Sequence, residues 1–213
     1  MTENNLWLSR WQNKEIGFHQ ESVNTFMSEY FHKLNLAKDS HVLVPLCGKS
    51  IDISWLLSQG YKVTGIELSE QAIIELFTEL NISPSISTVG ELTLYSSPSL
   101  RVFVGDIFAV DASMVGKIDA IYDRAALVAL TQELRIAYAT QLRRISQTAP
   151  QLLLCFEYQQ SLMNRSPYSV NKAEVIQHYK THYKLECLLQ QEIIGGFKGK
   201  IPAQDVVWLL TPL

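Results

Sequence analysis

The chain lacks any apolar run approaching the roughly 18–20 residues of a bilayer span, so no membrane segment is expected. It also lacks a basic excess. Its 18 Lys and Arg against 21 Asp and Glu leave a net charge of −3, and its densest basic groupings are only Arg143-Arg144 and Lys198/Lys200. A surface that tracks a nucleic-acid backbone needs more positive charge than that, so no nucleic-acid partner is expected. The N-terminal stretch MTENNLWLSRW has no basic segment followed by an apolar one. A secretory leader is therefore not expected, and a cytoplasmic setting is. Cysteine is scarce. Cys47, Cys155 and Cys187 are far apart and odd in number, which argues against a disulfide framework and a zinc site. No repeat, low-complexity block or linker divides the chain, so residues 1–213 are expected to form one domain. No additional apolar surface stands out, and a monomer is expected.

What is present is an alternation of strand and helix. Residues 41–44 are a short β-prone run ending at Pro45, followed by the tight loop Pro45-Leu46-Cys47-Gly48. Residues 50–59 place Ile51, Trp55 and Leu56 at helical spacing, Gly60 stops that helix, and 62–66 make a second strand with Glu67 at its end. A helix over 70–80 follows, with Ser69 as its N-cap. Residues 81–99 are rich in Ser, Pro and Thr and read as irregular, with a short hairpin around 92–95. Strands are expected at 100–104, 118–122 and 152–156, and helices at 131–147 and 172–183. Two last strands, 184–194 and 205–211, are joined by a connection short enough for antiparallel neighbours. The expected fold is α/β. It is a doubly wound, seven-stranded, mostly parallel sheet with an antiparallel C-terminal hairpin, behind a helical N-terminal extension at 1–38.

In an open parallel sheet, ligands bind beyond the carboxyl ends of the strands. An acidic residue roughly 20 positions after the first βα turn is placed to hold a ribose diol. Glu67 follows Gly48 by 19 positions. A dinucleotide would call for G-x-G-x-x-G, which the first loop lacks. The triplet Gly48-Lys49-Ser50 imitates the end of a phosphate-binding loop, but the leading glycine of that pattern falls on Leu43. A ligand with ribose and adenine but no phosphate fits better, and S-adenosylmethionine is the common example.

Six segments then occur in one order: Trp7-Leu8-Ser9-Arg10-Trp11, Glu15-Ile16-Gly17-Phe18-His19-Gln20, Val44-Pro45-Leu46-Cys47-Gly48-Lys49-Ser50, Gly65-Ile66-Glu67-Leu68-Ser69, Gly105-Asp106-Ile107-Phe108 and Tyr122-Asp123-Arg124-Ala125-Ala126-Leu127. Together they resemble the thiopurine S-methyltransferases, especially the bacterial members, over nearly the whole chain. The resemblance implies a Rossmann-like class I methyltransferase. It also implies methyl transfer from S-adenosylmethionine to an aromatic or heterocyclic thiol, without metal. By that likeness Trp11 covers the cofactor, the Leu46 backbone and Gly48 approach its methionine part, and Glu67 bonds the ribose. Asp106 and Ile107 lie at the adenine, Arg124 stands near the methionine end and the reaction centre, and Phe18 is a wall of the acceptor pocket. The family often reads Gly-Pro-Pro-Phe-Ser-Val where this chain reads Arg165-Ser166-Pro167-Tyr168-Ser169-Val170. That departure leaves the acceptor's identity open.

Methyl transfer from a sulfonium asks the protein mainly to position the acceptor and exclude water. An acidic thiol is already a good nucleophile, so no essential catalytic dyad is expected, and Arg124 could favour a thiolate electrostatically. Plainer roles stand beside these. Arg124 could pair with Asp123 or Asp119, Trp7 and Trp11 could dock the first helix, His19 could be a capping or hydrogen-bonded histidine, and Cys47 a small buried hydrophobe. Two other functions compete: a methyltransferase for selenium or tellurium species, halides or aliphatic thiols, and a non-catalytic module that binds an adenosyl ligand.

Overall fold

The computed structural model describes residues 3–213, so Met1 and Thr2 of the N-terminal extension lie outside the described residues. The extension comprises helix α1 (Glu3–Gln12), an irregular stretch, helix α2 (Thr25–Tyr30) and a 3-10 turn (Phe31–Leu34). The Asn24 side chain caps α2 by accepting from the backbone N–H groups of Phe26 and Met27. It is thus helical in two pieces rather than throughout.

The sheet is built from β1 (His41–Pro45), β2 (Lys62–Glu67), β3 (Ser85–Val89), β4 (Leu92–Ser96), β5 (Leu100–Val104), β6 (Ala120–Arg124), β7 (Gln151–Tyr158), β8 (Tyr183–Glu192) and β9 (Ala203–Pro212). Its spatial order is β3-β4-β5-β2-β1-β6-β7-β9-β8. The central five, β5-β2-β1-β6-β7, are parallel, and β9 and β8 close one edge as an antiparallel pair. This is the expected seven-stranded arrangement with two strands added. The added pair is the antiparallel hairpin β3–β4, which joins the far edge through β4–β5 and falls where an irregular segment with a short hairpin around 92–95 was expected; the hairpin instead spans 85–96, with β4 itself at 92–96. β3 is short, Ser/Thr-rich and largely exposed, and β4 buries only Leu92 and Tyr95, so the pair lacks the apolar signature of the central strands.

Helices α3 (Ile51–Ser58), α4 (Glu70–Glu79), α5 (Ala112–Val115), α6 (Gln132–Ser146) and α7 (Lys172–Tyr179) complete the chain. Period-two alternation divides each central strand between two cores. Val42 and Val44 of β1 pack with Ile53, Leu56, Ile73 and Leu76 of α3 and α4. Leu43 faces the other way, into the cluster with Tyr138, Leu142 and Ile145 of α6 and Val175 of α7. The chain progresses outward from β1 in both directions, so the switch in strand order lies between β1 and β6. That places a crevice at their carboxyl ends.

Candidate active site

Four strand ends open into one cavity of about 940 Å³. Two of the turns that follow hold non-glycine residues in the left-handed region, Leu46 after β1 (φ 45°) and Ala125 after β6 (φ 59°). Such conformations persist only where the surroundings over-determine them, and they are common at binding sites. Gly48 is also left-handed (φ 50°), and a Cβ there would lie 2.9 Å from the Trp11 ring. The loop therefore needs glycine both for its turn and for the close approach of α1.

Glu67 ends β2 almost fully buried, 6% exposed. Its carboxylate accepts from the Gly48 N–H at 2.8 Å and the Ser69 N–H at 2.9 Å, one on each oxygen. Burial raises its pKa, and those backbone donors oppose the rise. Each oxygen retains a lone pair for a further donor. Asp106 follows β5, where Oδ1 accepts from the Phe108 N–H and Oδ2 from Asn4 Nδ2 of α1.

Arg124 pairs with neither Asp123 nor Asp119. Its Nε donates to Asp52 Oδ2 at 2.6 Å and an Nη donates to Ser50 Oγ at 2.9 Å. Asp52, 1% exposed, also accepts from the Tyr122 hydroxyl and the Asn24 N–H. This buried junction ties α2, α3 and β6 together under the cavity floor. Asp123 instead turns into the α6 core, where the Leu127 N–H, Tyr138 hydroxyl and Gln151 amide reach it. Lys49, which imitates a phosphate-loop lysine, is held by Glu75 and Glu79 on α4.

Trp7 and Trp11 lie on one face of α1 and enclose Phe18 edge-on, with ring centroids 5.7 and 5.5 Å away. Trp11 is buried, consistent with docking as well as covering. His19 lines the cavity and makes no side-chain hydrogen bond among the described residues. Burial, then the Lys49 charge, hold its pKa below the ordinary value. Cys47 is buried, and burial followed by the Glu67 charge pushes its thiol pKa well up, as for an inert small hydrophobe.

The residues singled out in the sequence, Trp11, Phe18, Leu46, Gly48, Glu67, Asp106, Ile107 and Arg124, all line this one cavity. Several others join them that sequence reasoning passed over. Asn24 had no signal in the sequence and Ser50 was read only as the end of the first-loop motif, although the structure shows both as helix caps. Asp205, a half-buried carboxyl whose pKa burial raises, looked like the start of a strand. Arg10 and Arg165 belong to segments that the sequence singled out without giving either residue a role, and Phe197 and Lys198 come from the β8–β9 turn, which has no motif of its own. The cavity fits an adenosyl ligand in one physical respect above all. It presents a buried carboxylate at a strand end, while Lys49 and Arg124, the cations nearest the first loop, are already engaged and leave no cradle for phosphate.

A parallel α/β sheet with this switch point and this acidic strand end is the architecture of class I S-adenosylmethionine-dependent methyltransferases. Solved structures with the same fold include a 1,6-didemethyltoxoflavin-N1-methyltransferase from Burkholderia thailandensis (TM-score 0.67, 15% identity, covering 98% of this chain and 87% of that one). Another is an S-adenosylmethionine-dependent methyltransferase from Methanosarcina mazei (TM-score 0.65, 15% identity, 90% of this chain and 99% of that one). The sequence pattern of the thiopurine S-methyltransferase (TPMT) family matches residues 2–207. Relatives named thiopurine S-methyltransferase include one from Teredinibacter turnerae, 48% identical over 97% of this chain and 96% of its own length. One from Xanthobacter autotrophicus is 45% identical over 98% of both chains. The chain belongs to the thiopurine S-methyltransferase family and is an S-adenosylmethionine-dependent methyltransferase.

Proposed function

We propose that the enzyme methylates the sulfur of aromatic or heterocyclic thiols. The observation that carries the reading is the aromatic lining that shares the cavity with the strand ends. Trp7, Phe18, Phe156 and Phe197 line the same cavity as Glu67 and Asp106, and Phe156 and Phe197 stand 5.2 Å apart. A flat ring gains both apolar burial and edge or face contacts in such surroundings. The name carried by the relatives at 45–48% identity supports the same acceptor class.

In this reading Glu67 accepts from the ribose hydroxyls, charge-assisted bonds roughly twice as strong as neutral ones. Asp106 and Ile107 hold the adenine, Leu46 and Gly48 leave room for the methionine chain, and Trp11 covers it. S-adenosylmethionine, when bound, supplies a methyl carbon on a sulfonium, open to displacement by sulfur. The chain's own work is to orient the acceptor against the aromatic wall and to keep water out. Arg124, fixed by Ser50 and Asp52, supplies a stationary positive charge near the reaction centre. An acidic thiol releases its proton to solvent before it is held, so no residue is assigned the part of base. Residues 3–38 act as the cover of one methyltransferase domain, and the enzyme works as a monomer.

The test is a methylation assay with S-adenosylmethionine across thiophenols, a heterocyclic thiol, an aliphatic thiol, selenite, tellurite and iodide. Faster turnover of the ring thiols than of every other acceptor is expected. Preference for a selenium or tellurium species, or for the aliphatic thiol, would overturn the acceptor assignment. Tight binding of S-adenosylhomocysteine with no turnover of any acceptor would turn the protein into a binding module.

A further inference from the structure

Three cations from separate segments meet at the cavity beside its aromatic lining. Arg10 belongs to α1, Arg165 to the connection from β7 to α7, and Lys198 to the turn between β8 and β9, and all three line the cavity. Arg10 Nη1 donates to Ser166 Oγ at 2.7 Å, which holds the guanidinium beside the neighbour of Arg165. The same guanidinium lies over the Trp7 ring, 4.6 Å from its centroid, and the Lys198 ammonium lies 5.4 Å from that of Phe197. Among the described residues none of the three forms an ion pair with a carboxylate. Burial, then the charges of Arg165 and Arg10, hold the Lys198 pKa below the ordinary lysine value, so Lys198 feels both guanidinium groups.

The carboxylates that share the cavity do not answer these charges. Glu67 is bonded at the β2 end and Asp106 by Asn4 and Phe108. Asp205 is shifted by burial alone, with no cation acting on it. Glu15 is exposed and forms no ion pair among the described residues. Like charges gathered at an aromatic slot without a counter-ion make a receptor for an anion carried on a ring. Guanidinium groups are the side chains best shaped to grip a carboxylate.

We infer that Arg165 and Lys198, with Arg10 behind them, form an anion subsite that makes the enzyme prefer ring thiols bearing a second anionic group, a carboxylate on the ring. This rests on the acceptor reading above, since it places the ring in the aromatic slot. Arg165 and Lys198 are exposed, so water and salt weaken their attraction and the preference is moderate.

The experiment compares kcat/KM for 4-mercaptobenzoate and its neutral analogue 4-mercaptobenzamide, in wild type, Arg165→Gln, Lys198→Gln and the double variant, at low and high salt. At low salt the wild type is expected to favour the acid about tenfold, with each single substitution cutting that ratio about threefold and the double variant bringing it near one. High salt should shrink the wild-type ratio in the same direction. A wild-type ratio of one, or a ratio that the double variant leaves in place, would overturn the subsite while turnover of the amide kept the acceptor reading intact. If neither ring thiol is methylated although S-adenosylhomocysteine binds, the acceptor reading falls and the subsite falls with it.

Discussion

Arg124 and Asp52 sit 72 positions apart in sequence and 2.6 Å apart in space. In one dimension Asp52 is only an acidic residue in the first turn of a helix, so its partner was not legible, and Arg124 invited pairing with the nearer Asp119 or Asp123. Glu67 was legible because strand-end position and spacing from Gly48 are both written locally. Arg124→Gln should leave Asp52 buried with neutral donors only and cost about 3–5 kcal/mol, read from urea denaturation. A loss below about 1 kcal/mol would show that the junction bears little weight. Asp123 makes a separate prediction. Burial raises its pKa from 3.8 to about 6 against the pull of the Leu127 N–H and the Tyr138 hydroxyl. A carboxyl whose folded pKa exceeds its unfolded one holds its proton better when folded, so it favours folding at low pH and opposes it above about 6. Relative to Asp123→Asn, wild type should lose about 3 kcal/mol of stability as pH rises from below 4 to above 6. Parallel stability curves for the two proteins would contradict this.

At the scale of elements, the parallel strands and their helices were legible because buried strands of Val, Ile and Leu and capped amphipathic helices carry their own pattern. The β3–β4 hairpin was legible only as a fragment, since β3 is short, polar and exposed and β4 joins the sheet through β5 with only Leu92 and Tyr95 buried. Helix α1 was legible as a helix, but not its attachments. It is held by Asn4 on Asp106, Arg10 on Ser166 and Trp11 against Gly48, at three points around the cavity rim. An element fixed mainly to the rim of a ligand site gains stability when the ligand fills that site. Limited proteolysis should therefore cut within residues 3–20 more slowly when S-adenosylhomocysteine is present, by about tenfold or more at saturating ligand. Equal rates with and without it would deny α1 the part of a cover.

For the whole molecule, the sheet order makes the chemistry local. The proposed cofactor residues come mainly from the ends of β1, β2, β5 and β6, whereas the proposed acceptor wall is assembled from α1, Phe18 after it, Phe156 of β7 and the β8–β9 turn. The first set is fixed by a topology the sequence spells out, so it could be read. The second is brought together only by folding, from segments far apart in the chain, so Phe18 and the Arg165–Val170 segment could be singled out one by one but not their meeting with the β8–β9 turn. No helix among the described residues is long and apolar enough to cross a membrane. The central claim is that Glu67 anchors an adenosyl ligand at the β2 end. Calorimetric titration of wild type and Glu67→Gln with S-adenosylhomocysteine tests it directly. Clear binding by wild type, weakened by about 1.5–3 kcal/mol in the variant as for loss of a bond to a charged group, is the predicted result. No binding by wild type, or equal affinity for the two proteins, would contradict it.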